Sequence, residues 1–156
     1  MWYNMNMEEK TGWQGLYTVR VGDRVSYYEN VVTKVFREEL NKMFDGTRTA
    51  PLRIVKQQLG TGTATATTDD EDLDNAEANT LKTISNTYVD GITLGINATW
   101  GFGEAEGSWT EFALWAAEDV NDSNRILAVR MNIDEFVPNN SSIVIDGTIK
   151  QNHNED

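Results

Sequence analysis

From Ile92 to Trp100 the chain alternates without interruption: Ile92, Leu94, Ile96, Ala98 and Trp100 point one way, and Thr93, Gly95, Asn97 and Thr99 the other. A period of two belongs to a β-strand with one buried and one polar face, and a helix cannot present it. Asp90-Gly91 precedes the run and predicts a type I′ hairpin turn, fed by an extended stretch from Thr80 to Val89. Further strands are predicted over Trp109–Ala116, Arg125–Met131 and Ser142–Lys150, with a turn at Asn121-Asp122-Ser123-Asn124. Turn signals this closely spaced point to an antiparallel sandwich or barrel.

The first half adds a hairpin, a helix and a loop. Leu16–Val21 alternates, and Val25-Ser26-Tyr27 resumes after Gly22-Asp23, where glycine at the first central position suits a type II′ turn. Asn30 reads as the N-cap of a helix running to Asp45, with Gly46 as its stop. Val32, Phe36, Leu40 and Phe44 would form its buried stripe. Leu52–Leu59 reads as a strand entered through Pro51, and Thr61–Asn79 as an acidic surface loop. The expected architecture is mainly β: an antiparallel β-sandwich, jelly-roll-like, with one amphipathic α-helix after the first hairpin. Its 156 residues fit one domain over 16–150, flanked by an N-terminal docking arm over 1–15 and a polar tail over 151–156.

Composition narrows the function. The chain has 13 basic and 25 acidic side chains, a formal charge of −12, which opposes binding to nucleic acid or to an anionic membrane surface. No apolar run is long enough to span a bilayer, and Met1-Trp2-Tyr3-Asn4 has neither the basic nor the apolar region of a signal peptide. Cysteine is absent, so disulfides, thiolate metal sites and cysteine nucleophiles are excluded. The one histidine, His153, lies in the polar tail, where a catalytic triad has no cradle for it. Gly60-Thr61-Gly62 and Gly101-Phe102-Gly103 each lack the later residues of a phosphate or dinucleotide loop. Asp70-Glu71-Asp72-Leu73-Asp74 opens like a calcium loop, but Asn75 and Leu81 stand where glycine and glutamate are needed. Glu104, Glu106 and Glu111 could supply a glycosidase pair, yet in so acidic a chain they read as solvated charges. No enzyme activity, cofactor or metal is expected.

Two features suggest contact with other chains. On the strand at 109–116, Trp109, Glu111, Ala113 and Trp115 share one face while Phe112 and Leu114 occupy the other, so both sides are apolar. A central strand, or one covered by another subunit, accounts for such a pattern. Trp2, Tyr3, Met5 and Met7 place large apolar groups in a terminal segment. Trp2, Tyr3, Met5, Trp109 and Trp115 are therefore the candidate interface residues. Tryptophan and tyrosine could instead build a sugar-binding platform.

The order of motifs carries a resemblance. Gly22 in the first hairpin, Glu29-Asn30-Val31-Val32-Thr33, Gln58-Leu59-Gly60-Thr61-Gly62-Thr63, an acidic stretch with Leu73, Trp109-Thr110-Glu111-Phe112-Ala113-Leu114 and Ile126-Leu127-Ala128-Val129-Arg130 follow in sequence. This order resembles small virion proteins of tailed bacteriophages, of the tail, fibre-associated or decoration type, over about Leu16 to Ile149. Two positions depart from the group: Ala113 where glycine is usual, and Pro138-Asn139-Asn140 where a lysine-threonine pair is common. The resemblance implies a non-enzymatic structural component of the virion, assembled in the host cytoplasm as a tail, neck or fibre-associated adaptor or a capsid decoration. Its implied partners are other copies of itself and neighbouring virion proteins. A receptor-binding module at a tail tip, reading a host-surface glycan, is the alternative.

Overall fold

At Gly22-Asp23 the backbone turns with φ +59° at the glycine, and Val21 pairs with Arg24 across a two-residue loop. Positive φ at the first central residue alone is the type II′ geometry, which only glycine takes without strain. The computed structural model that contains this turn describes residues 12–121 and 123–152, with side chains described from 15 to 150. The described strands are β1 (Gly12–Gln14), β2 (Leu16–Val21), β3 (Arg24–Glu29), β4 (Val31–Val32), β5 (Arg53–Gly60), β6 (Lys82–Thr83), β7 (Asn86–Asp90), β8 (Thr93–Trp100), β9 (Gly107–Ala117), β10 (Ile126–Val137) and β11 (Ile143–Asn152). Helix α1 spans Lys34–Phe44, and a short 3₁₀ turn spans Ala78–Thr80.

These strands form two antiparallel sheets. Sheet A has the order β3-β2-β11-β8-β7, with β1 also paired to β11; sheet B has the order β4-β10-β9-β5-β6. Consecutive strands remain in one sheet as hairpins at β2–β3, β7–β8 and β9–β10, and the chain crosses between sheets after β3, β6, β8 and β10. The expected mainly β sandwich with one amphipathic helix after the first hairpin is what the chain folds into.

Between the sheets lies one apolar core. Tyr17 and Val19 of β2, Ile96 and Trp100 of β8, and Ile143 and Ile145 of β11 face Phe112, Leu114, Val129 and Met131 of sheet B. Phe112 sits at its centre, with Trp100 edge-on at 6.2 Å and Tyr17 tilted at 6.2 Å between ring centroids. The buried Trp100 indole N–H is satisfied by the carbonyl of Thr80 at 2.8 Å.

Three expectations are corrected. The helix begins at Lys34, with Thr33 as N-cap, because Val31 and Val32 find backbone partners on β10 at Arg130 and Val129. The Thr33 hydroxyl accepts from the Phe36 N–H at 3.3 Å and donates to the Leu127 carbonyl at 2.5 Å. Of the expected stripe, Phe36 is buried on the helix and Leu40 packs partly against the core, whereas Val32 is buried on a strand and Phe44 is 81% exposed. The β7–β8 turn is Gly91-Ile92, one residue later than expected, since Asp90 pairs with Thr93 and φ is positive only at Gly91. That is a type II′ turn, and it leaves Ile92 80% exposed rather than on the core face.

Candidate interaction surfaces

The outer face of sheet B carries a buried ionic clamp. Glu111 of β9 and Arg130 of β10 both point away from the core, and the Arg130 Nη2 donates to Glu111 Oε1 at 2.9 Å. The same carboxylate oxygen accepts from the Asp74 N–H at 2.9 Å, while Oε2 accepts from Gly62 at 2.9 Å and Asn75 at 2.7 Å. Arg130 also donates to Asp70 at 2.7 Å and to the Ala64 carbonyl at 2.6 Å. Glycine at 62 permits this approach, since a Cβ there would lie 2.6 Å from Glu111 Oε2. The loop after β5 is thus held down at both its threonine-rich and its acidic ends.

An apolar plug completes the cover. Leu73, the one aliphatic residue of the acidic stretch, packs with Ala113, Trp115 and Leu127 in a second buried cluster. The Trp115 indole donates to Gln58 Oε1 at 3.0 Å, and the Arg125 guanidinium lies 4.9 Å from its ring. Both faces of β9 are therefore apolar because the chain covers both itself. The acidic side chains of the loop serve its own fold: Asp74 accepts from the Thr63 and Ala64 amides, and Asp72 from that of Leu73. Asp70 is pushed up by partial burial, but the Thr67 amide and hydroxyl and the Arg130 guanidinium outweigh this and hold it below the ordinary carboxylate range.

Carboxylates named in the sequence as possible acids and bases are occupied or dispersed. Glu111 is fully buried with four donors on its two oxygens. Glu104 accepts from the Gly101 amide at 2.6 Å and from Lys82 at 3.0 Å, and Glu106 accepts from the Asn140 amide at 2.7 Å. Among the described residues, no group of three His, Cys, Asp or Glu side chains is arranged to hold a metal ion.

Of the interface candidates, Trp2, Tyr3 and Met5 lie outside the described residues. Trp109 and Trp115 are 7% and 6% exposed, and they do not share a face. Thr110 and Glu111 both bond to the loop, while Trp109 and Phe112 on either side both enter the main core. The pairing of β9 with β10 shifts between Asn132 and Glu135, and this irregularity breaks the alternation that grouped the two tryptophans.

The edges of the sheets differ sharply. β3 is tied to β10 by side chains: the Tyr28 hydroxyl donates to the buried Glu135 at 2.5 Å, and Arg24 donates to the same carboxylate at 3.1 Å. Burial, together with that carboxylate, raises the Tyr28 pKa. In sheet B, the edge strands β4 and β6 are two residues each. β7 is different. Its five residues, Asn86-Thr87-Tyr88-Val89-Asp90, are all exposed and, among the described residues, pair only with β8. Val89 on β7 and Ile92 in the turn after it are 76% and 80% exposed. The extended stretch expected over Thr80–Val89 contains most of β7, but its place at an open edge follows from strand order, which periodicity does not encode. The chain matches no known protein-family model, no curated protein and no solved structure.

Proposed function

We propose that this chain is a non-enzymatic structural subunit of a tailed-phage particle, working by packing against copies of itself and against neighbouring particle proteins. The observation that carries this reading is β7, a fully exposed edge strand that carries Val89 and leads into Ile92. Open edges with exposed apolar residues are the surfaces through which β-proteins join other chains. The consumption of Glu111 and Glu135 by internal donors, and the order of motifs from Leu16 to Ile149, agree with a structural role.

The glycan-binding reading ranks second. Trp100, Trp109 and Trp115 are buried, so their faces offer no platform for a sugar ring. Exposed Tyr27 and Tyr88 remain on the outer face of sheet A, but they sit on its two opposite edges. With neighbouring strands about 4.8 Å apart, that separation is roughly 19 Å, too wide for one sugar to bridge.

Mass spectrometry of washed, gradient-banded particles of the phage encoding this chain tests the proposal. The chain should be present at a fixed stoichiometry. Its absence from particles, with abundance only in the infected-cell extract, refutes the structural role. Selective retention on a host-glycan array would favour the second reading.

A further inference from the structure

We infer that β7 pairs with itself: two copies of the chain join antiparallel about a two-fold axis through Tyr88, making one continuous sheet from two copies of sheet A. The inference rests on the subunit-packing reading only in taking a copy of the chain as partner.

The ladder fixes which groups are free. Asp90 and Thr93 flank a two-residue turn and exchange its hydrogen bonds, so Asn86, Tyr88 and Asp90 direct their backbone groups to β8. Thr87 and Val89 alternate with them and direct their N–H and C=O groups to the open side. Centring a second β7 on Tyr88 sets Thr87 opposite Val89 of the other copy, twice. That register joins all four free backbone groups of each strand across the axis. Neither proline nor lysine nor a bulge blocks it, since β7 reads Asn-Thr-Tyr-Val-Asp and its pairing with β8 is continuous from Asn86 to Asp90.

Charge selects the same partner and register. A net charge of −12 opposes self-association, least where the surface carries little charge. Asp90 is the only charged residue of β7. Centred on Tyr88, each Asp90 lies opposite Asn86 of the other copy, whose amide can donate to it, and the two Asp90 carboxylates lie at opposite ends of the ladder. Centring one residue later on Val89 would bring them closer and place each beside a tyrosine ring. Val89, 76% exposed, gains cover from the partner's Thr87. Tyr88 already lies flat over Gly95, where a Cβ would be 2.1 Å from its ring, so its face is preset before pairing. One five-residue strand is a small contact, so the dimer is dissociable and concentration-dependent.

Two measurements decide it. Sedimentation velocity from micromolar concentrations to about 0.5 mM should show a monomer–dimer equilibrium. Val89→Pro removes a donor on the free side of the edge, and Val89→Lys places a charge there while keeping the backbone. Each should weaken dimerisation more than about tenfold with the thermal midpoint little changed. The chain has no cysteine, so a single introduced thiol reports cleanly. At the axis of a non-hydrogen-bonded pair the Cα atoms are about 4.5 Å apart, within disulfide range. Tyr88→Cys should therefore cross-link on mild oxidation much faster than Tyr27→Cys, although Tyr27 on β3 is the more exposed of the two. A wild-type chain that stays monomeric throughout, variants that dimerise unchanged, or equal cross-linking of the two cysteines overturns the inference. The chain found in particles while monomeric alone sinks this contact and spares the structural role; a dimer in solution with no chain in particles does the reverse.

Discussion

Replacing Glu111 with glutamine changes one oxygen to an amide nitrogen and almost nothing in shape, so it isolates the clamp that holds the loop to sheet B. Oε1 accepts from Asp74 and Arg130, and Oε2 accepts from Gly62 and Asn75. Whichever oxygen becomes NH₂, two donors lose their acceptor and face another donor. Two hydrogen bonds to a charged acceptor are worth about 3–6 kcal/mol. Removing one partner of a buried ion pair independently suggests about 3–5 kcal/mol, and both side chains here are almost completely buried, at 3% and 0% exposure. We therefore expect Glu111→Gln to cost about 3–5 kcal/mol in reversible urea unfolding, with faster amide exchange over 61–77. Glu104→Gln, at an exposed ion pair, should change stability by less than about 0.5 kcal/mol. If Glu111→Gln costs no more than Glu104→Gln and loop exchange is unchanged, the loop is not held by this carboxylate and the reasoning fails.

Three further outcomes are expected. Phe36→Ala should destabilise by about 3–5 kcal/mol, and Phe44→Ala by less than about 0.5 kcal/mol, because only Phe36 is buried; chemical melts of both variants check this. Gly147→Ala should cost about 1–3 kcal/mol, since a Cβ there would lie 2.2 Å from the fully buried Tyr17 ring, and a normal melting curve would show that the ring moves aside freely. Because folding lowers the pKa of Asp70, its contribution is present above the ordinary carboxylate range and lost as pH falls through the lowered value; Asp70→Asn should flatten that acid limb of a stability–pH profile.

How much of this was readable in advance depended on the range of the interactions. The Gly22-Asp23 turn follows from local chemistry and sits where the residues put it. The next hairpin sits one residue later than the Asp90-Gly91 signal, in the register that sets Tyr88 opposite Gly95, where the missing side chain leaves room for the ring. The helix start moved because Val31 and Val32 gained a strand partner in β10, far away in sequence. The two-sided pattern of β9 showed that a cover was needed. It could not show that the cover is the acidic loop, since the plug is the single residue Leu73 and the clamp joins Glu111 to Arg130 across two strands. The edge β7 was hidden for a different reason: openness belongs to strand order, which periodicity does not encode.

That strand order also sets when the protein can fold. β11 is the last described strand, yet it lies in the middle of sheet A, between the β2–β3 and β7–β8 hairpins. During synthesis both hairpins leave the ribosome without the strand that joins them. Gly12 must wait for Asn152 before β1 pairs at all. Closing such sequence-distant contacts is slow, and half-built sheets expose apolar faces and edges meanwhile. Sheet B has all its strands once β10 is made, so a released chain truncated before Ile143 should hold every strand of one layer and only two loose ribbons of the other.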